Sequence, residues 1–331
     1  MRRRELVLGA LGALGAGCEP AAVPKVPPQE LVPHKELDEL APTAGLEWMI
    51  RTNPRQIAAI PWMIPAILEL VPEANQAALQ ERLGFDPRQC VEAIFLSYGP
   101  ALDGCQAQLV RHNGDPATLE KKFLQRLTTD TQRSIDHPEV VRLRGKVGKK
   151  FLALTLIGRT IAVYDELDED KDGIARIAAL YALGKMTKAK SLRNDVLLAS
   201  TMERFGDAPL VAIAPGPFVD EWKRAARGLL EVADTVAVSL SPATTEAVRI
   251  SGAIRGDFGQ EGSKAADLLR ASWEDLGQTQ MGRILGFHDA SEPVAAGTRD
   301  VITLNVMVDP MRAARGLRAI LEQDLPAIMR L

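Results

Sequence analysis

Apolar residues change their spacing along this chain in a regular order. Short runs rich in β-branched residues, with partial alternation, predict strands over 46–51, 91–98, 106–111, 151–165, 210–214, 235–240, 246–254 and 301–308. Between them, apolar positions recur every three or four residues and predict helices. One helical stretch, 55–83, is broken near Pro61, Pro65 and Pro72. Leu119, Phe123 and Leu127 share a face after Asp115-Pro116, and another helix runs from about Gly173 to Lys185. Phe218, Trp222, Ala225, Leu229 and Val232 form a stripe after Gly216-Pro217; Ala265, Leu268, Leu269, Trp273 and Leu276 form the next. Met311, Ala314, Leu317, Ile320 and Leu321 follow Asp309-Pro310. At Asn53-Pro54, Asp115-Pro116 and Asp309-Pro310 a capping side chain precedes a proline whose missing N–H costs nothing at the first helical position.

Taken in order, these elements run β-α-β-β-α-β-α over residues 45–185 and again over 208–331, with a connector (186–207) carrying a helix through 194–205. The stretches before residue 151 and over 277–299 show no regular period. The order predicts an α+β fold of two tandem ferredoxin-like repeats, with antiparallel sheets and helices on one face. One mixed domain with a continuous sheet is the alternative arrangement.

The first residues follow another logic. Arg2-Arg3-Arg4 precede a short apolar run, Leu6 to Gly17, and Cys18 comes directly after Gly15-Ala16-Gly17. A basic start, an apolar run too short to span a bilayer and small residues before the break describe an export signal over 1–17. The junction resembles a bacterial lipoprotein lipobox, with Gly15 where Leu is usual and Leu14 one step further out. That resemblance implies a lipid on Cys18, with release of a soluble protein as the alternative. Arg3-Arg4-Glu5-Leu6-Val7 also fits a twin-arginine pattern loosely, so the export route stays open. Residues 18–44 hold six prolines and predict an extended tether. Together these features place the protein in the bacterial cell envelope, lipid-anchored and facing the periplasm or the cell surface.

Removal of 1–17 leaves 37 basic and 42 acidic residues, a net charge of about −5. Such a balance gives no concentrated positive footprint for nucleic acid. Cys90 and Cys105 remain. A hairpin turning over 99–104 places them at opposite ends, more than roughly 20 Å apart, so they are expected to be buried and reduced.

Asp168-Glu169-Asp170-Lys171-Asp172-Gly173 opens like a calcium loop, with Asp168, Asp170 and Asp172 as candidate ligands. The twelfth position, which needs a bidentate Glu, is Ala179. A solvated loop in which Asp172 caps the next helix therefore explains the segment better. Arg255-Gly256-Asp257 matches the corner Arg111-His112-Asn113-Gly114-Asp115 in the repeat and reads as turn chemistry. Arg142, Arg144, Lys146, Lys149, Lys150 and Arg159 predict the solvated face of a hairpin, or alternatively a patch for anionic envelope material. The apolar segment 60–68 predicts core packing beneath the first sheet, or else an exposed patch. His34, His112, His137 and His288 are scattered, and no nucleophile or phosphate-loop motif is present. His288-Asp289 is the one polar pair of note. No catalytic residue and no cofactor is expected.

Asp207-Ala208-Pro209-Leu210, Ala214-Pro215-Gly216-Pro217-Phe218, Glu221-Trp222, Gly228-Leu229-Leu230 and Gly282-Arg283-Ile284-Leu285-Gly286-Phe287 resemble a family of uncharacterised bacterial lipoproteins. The resemblance implies an envelope lipoprotein and carries no activity or site residues. The expectation is a non-enzymatic binding or assembly module. Its partners would be the membrane, through the lipid on Cys18, and an envelope protein. The alternative is an envelope hydrolase with an Asp/Glu site.

Overall fold

The computed structural model describes residues 35–322 apart from 100–101, 103, 168–171, 187–189 and 244–245. The predicted signal segment, Cys18, His34, most of the predicted tether, Asp168 and Asp170 lie outside the described residues. A 3-10 turn (Leu37–Glu39) leads to β1 (Leu46–Thr52), and Asn53 caps α1 (Pro54–Ala58) by accepting the Gln56 N–H at 2.9 Å. Its prolines divide the predicted 55–83 helix into α1, a 3-10 turn (Pro61–Met63), α2 (Ile64–Leu70) and α3 (Glu73–Leu83). There follow β2 (Glu92–Tyr98), β3 (Gln106–Arg111), α4 (Pro116–Arg126), β4 (Thr129–His137) and β5 (Val140–Val147). Next come β6 (Lys150–Ile157), β7 (Ile161–Leu167), α5 (Ile174–Ala182), α6 (Val196–Arg204) and β8 (Leu210–Pro215). A 3-10 segment (Asp220–Val232) precedes β9 (Ala233–Pro242), β10 (Val248–Gly256), α7 (Gly262–Gln278) and α8 (Gln280–Ile284). The last elements are β11 (Val294–Gly297), β12 (Val301–Val308) and α9 (Pro310–Glu322).

Among the described residues twelve strands join one antiparallel sheet in the order β11-β12-β10-β9-β8-β1-β2-β3-β7-β6-β5-β4. The order mirrors itself about the β8/β1 seam: β1-β2-β3-β7-β6 on one side, β8-β9-β10-β12-β11 on the other. The first side adds β4, hidden in a stretch that read as irregular, and β5. The fold is thus α+β, but its strand order is not the expected ferredoxin-like one. A split βαβ unit makes the strands around its first helix parallel. Here β1 and β2 are antiparallel neighbours, with Met49 opposite Leu96 and Ile50 opposite Phe95. The proline-divided pieces between them do not form one crossover helix, so the chain returns beside β1.

Helices cover both faces, not one. On the front face, Phe95, Val110, Leu143, Leu154 and Tyr164 pack with Leu119 and Phe123 of α4. Also on the front, Ile254 and Ile302 pack against Leu229, Leu230, Ala265 and Leu268. On the back, the Thr155 hydroxyl donates to the Ala175 carbonyl at 2.7 Å, which seats α5. Arg255 donates to the Leu197 carbonyl and the Ser200 hydroxyl, which seats α6. The Arg-Gly-Asp corner is therefore tied into the fold: a Cβ on Gly256 would collide with the Val232 carbonyl, and Asp257 accepts the Gly259 N–H.

Three further expectations change. The predicted tether ends before residue 37, because Leu37, Leu40 and Ala41 are fully buried and Tyr98 donates to the Pro42 carbonyl at 2.9 Å. A single turn with two apolar residues is too short to show a period. The stripe from Phe218 to Val232 is not one helix but two short 3-10 pieces: between them Ala225 is extended, while Ala226, Arg227 and Gly228 have positive φ. Trp222 accordingly stands 66% exposed while Leu229 and Leu230 are buried. Segment 60–68 packs over the second half of the sheet, where Trp62 and Met63 meet Val248, Val306 and Val308. Cys90 and Cys105 are buried and not bonded to each other, at opposite ends of the β2/β3 hairpin.

Candidate functional site

The front face of β8, β9, β10 and β12 carries Leu210, Leu240, Val248, Ile250 and Val308, an aliphatic floor set by strand alternation. Two helices roof it. α2 comes from the first half of the chain and α9 from its end, and they pack on each other. The facing residues are small where the helices meet the floor: Ala66 on α2, Ala313 and Ala314 on α9. With no bulk there to fill the space, a cavity of about 350 Å³ remains. Ile57, Met63, Ile67, Leu70, Leu285, Phe287 and Leu317 stand in its walls, with Pro209, Pro242, Pro310 and one polar residue, Ser241. The volume lies in the lower part of the range of small-molecule sites.

The ends of the roof are tied by charge. Arg318 Nη1 reaches the Glu69 Oε1 at 3.3 Å and the Glu69 carbonyl at 3.4 Å, which bridges α9 to α2. At the other end Arg312 pairs with Asp289 and contacts His288 Nε2 at 3.2 Å. Arg312 can cross there because Gly286, at φ 76°, has no Cβ to block it. The pair His288-Asp289 thus serves as a surface anchor for α9. Asp309 Oδ1 caps the helix through the Met311 and Arg312 N–H groups at 2.8 and 3.3 Å. Phe287 of the wall is backed by the Trp273 ring, their centroids 5.0 Å apart.

The sequence candidates fall elsewhere. Asp172 pairs with Arg176 and does not cap α5; Asp165 of β7 does, accepting the Ala175 N–H at 2.7 Å. That role is invisible locally because the acceptor lies ten residues upstream on a strand. In the basic hairpin, Arg142 pairs with Asp136, Lys150 with Glu166, and Lys146 with Asp130 at 2.7 Å. Arg144 and Lys146 also lie over the Phe151 ring, at 5.1 and 4.6 Å. The patch is therefore interleaved with acids.

Carboxylates with raised pKa do gather at one place, under the 3-10 turn at Leu37–Glu39. Burial raises Asp38, against the pull of Arg193 and Arg51, and burial likewise raises Glu92, against Arg51 and Arg111. Arg51 reaches Glu92 at 3.0 Å, and Arg111 reaches Glu36 at 3.1 Å. This network fastens the entering chain to β1, β2 and β3, with Leu37 and Leu40 buried beside it.

Neither a family model nor a curated protein matches this chain. Among solved structures, crystal form I of TP0453 is similar over 86% of this chain and 98% of that one, at TM-score 0.50 and 8% identity. Crystal form IV of TP0453 aligns with 86% of this chain and 96% of that one, at TM-score 0.48 and 5% identity. The first likeness concerns the fold alone. No helix among the described residues is long and apolar enough to cross a membrane.

Proposed function

We propose that this protein is a non-enzymatic, envelope-anchored binding module whose site is the apolar cavity between α2, α9 and the second half of the sheet. The cavity carries the reading: it is lined almost wholly by aliphatic side chains, and the polar groups near it are spent on holding its roof. A site built this way can bury an apolar molecule and has nothing with which to activate water or a nucleophile. The anchor rests on the sequence, on the basic start, the short apolar run and Cys18. We also read the mirrored strand order as two diverged copies of one unit, since equivalent strands take equivalent places on either side of the seam. Native mass spectrometry of wild type and Cys18→Ser tests the function. Both should retain an apolar adduct that organic solvent releases, and only wild type should fractionate with membranes. Protein that carries no adduct and takes up no apolar probe would refute the binding role.

A further inference from the structure

We propose that the back of the sheet carries a second, separate site, which takes a sugar unit bearing a carboxylate or a phosphate. Strand alternation sends Leu240 and Ile250 forward to the apolar cavity and Ser239 and Ser251 backward. Ser239 lies opposite Ser251, and Ser251 opposite Asn305, so three polar side chains form a row across β9, β10 and β12. α6 covers the back of the sheet only as far as Arg204. Beyond it, a cleft of about 430 Å³ opens over this row, with Phe205 and Asp207 in its walls.

Two observations point to the ligand. Ser239 is 2% exposed and lines the cleft, and its hydroxyl has no hydrogen-bond partner among the described residues. A hydroxyl withdrawn from bulk water costs stability unless something in the cleft bonds it. Beside it the Ser251 hydroxyl donates to Asn305 Oδ1 at 2.7 Å, which leaves the serine oxygen to accept and Asn305 Nδ2 to donate. Such a row suits the hydroxyls of a sugar ring, which both give and take hydrogen bonds. The second observation is charge. Arg204 and Arg249 line the cleft, and neither makes an ion pair or a side-chain hydrogen bond among the described residues. Arg142, Arg312 and Arg318 are each spent on an acidic partner, whereas these two keep their N–H groups for an oxyanion. Against them the lining holds one acid, Asp207.

Calorimetric titration of the full-length protein with glucuronate, glucose 6-phosphate, glucose and inorganic phosphate tests the assignment. At least one of the two acidic sugars should bind at millimolar concentration, and glucose about tenfold more weakly because it lacks the charge-assisted bond. Binding of glucuronate alone identifies a carboxylate as the anion; binding of glucose 6-phosphate alone identifies a phosphate. Arg249→Gln should weaken the acidic sugar about tenfold and leave glucose as in wild type. Ser239→Ala should weaken both about threefold. Urea unfolding reports whether each variant folds; if neither does, Arg204→Gln at the exposed end of α6 should reproduce the loss seen only with the acidic sugar. Inorganic phosphate bound as tightly as glucose 6-phosphate would overturn the sugar, and glucose bound as tightly as the acidic sugars would overturn the anion. No heat from either acidic sugar, or binding indifferent to every cleft variant, would overturn the site and leave the apolar cavity on the front face untouched.

Discussion

Asp165 is 4% exposed, and its second carboxyl oxygen has no partner among the described residues. Burial pushes its pKa up to about 6 from 3.8. A carboxyl whose folded pKa is raised holds its proton in the native state after the unfolded chain has released it. Its charge therefore costs stability at high pH, and the cost fades as pH falls through 6 toward 4. Asp165→Asn keeps the acceptor for Ala175 and removes the charge. Relative to wild type, its unfolding free energy in urea should rise by about 2–3 kcal/mol between about pH 4 and pH 8. Buried His112, whose pKa burial lowers, opposes folding at the acid end but is common to both proteins and cancels in the difference. A difference independent of pH would show that folding does not raise the Asp165 pKa. The sequence marks Asp165 only as the end of an apolar strand; its environment comes from α5 folding back over β7.

Helix ends were legible because their chemistry is local. Asn53, Asp115 and Asp309 each accept N–H groups of the helix they precede. Asp309→Ala should cost about 1 kcal/mol, lowering the thermal midpoint by roughly 2 °C in a chain of this length. The loss should be larger in the ligand-free protein if α9 is held partly by what lies beneath it. Calorimetry of both forms would show it. The segment 220–232 was not legible for the converse reason. Its apolar spacing fits a helix, but the chain must turn sharply into β9, and the positive φ values at Ala226 and Arg227 make that turn. Close packing of Gly256 against the Val232 carbonyl fixes the place. The basic residues of β5 mark its hairpin with β6, whereas nothing local marks β4, whose residues alternate charged with apolar too irregularly. Leu143 and Gly145 are set by α4 and Leu127 above them, not by their neighbours in sequence.

The whole molecule is held at its middle by β1 pairing with β8, from Met49 opposite Ile213 to Thr52 opposite Leu210. Roof helix α2 then crosses this seam to lie over the second half. Residues 208–331 expressed alone would expose the β8 edge and lose α2 from above Leu240 and Ile250. They should show no cooperative denaturant transition by near-ultraviolet circular dichroism. A sharp transition would mean that the second half needs neither seam nor roof. By itself, the sequence determined the placement of most strands, the caps at Asn53, Asp115 and Asp309, and the proline breaks. These depend on side-chain period and on contacts within a few residues. Only the tertiary structure decided which strands are neighbours, which face each helix covers, and that Ala66, Ala313 and Ala314 meet over an aliphatic floor. A cavity is made by residues far apart in the chain leaving space together, and no local spacing records that.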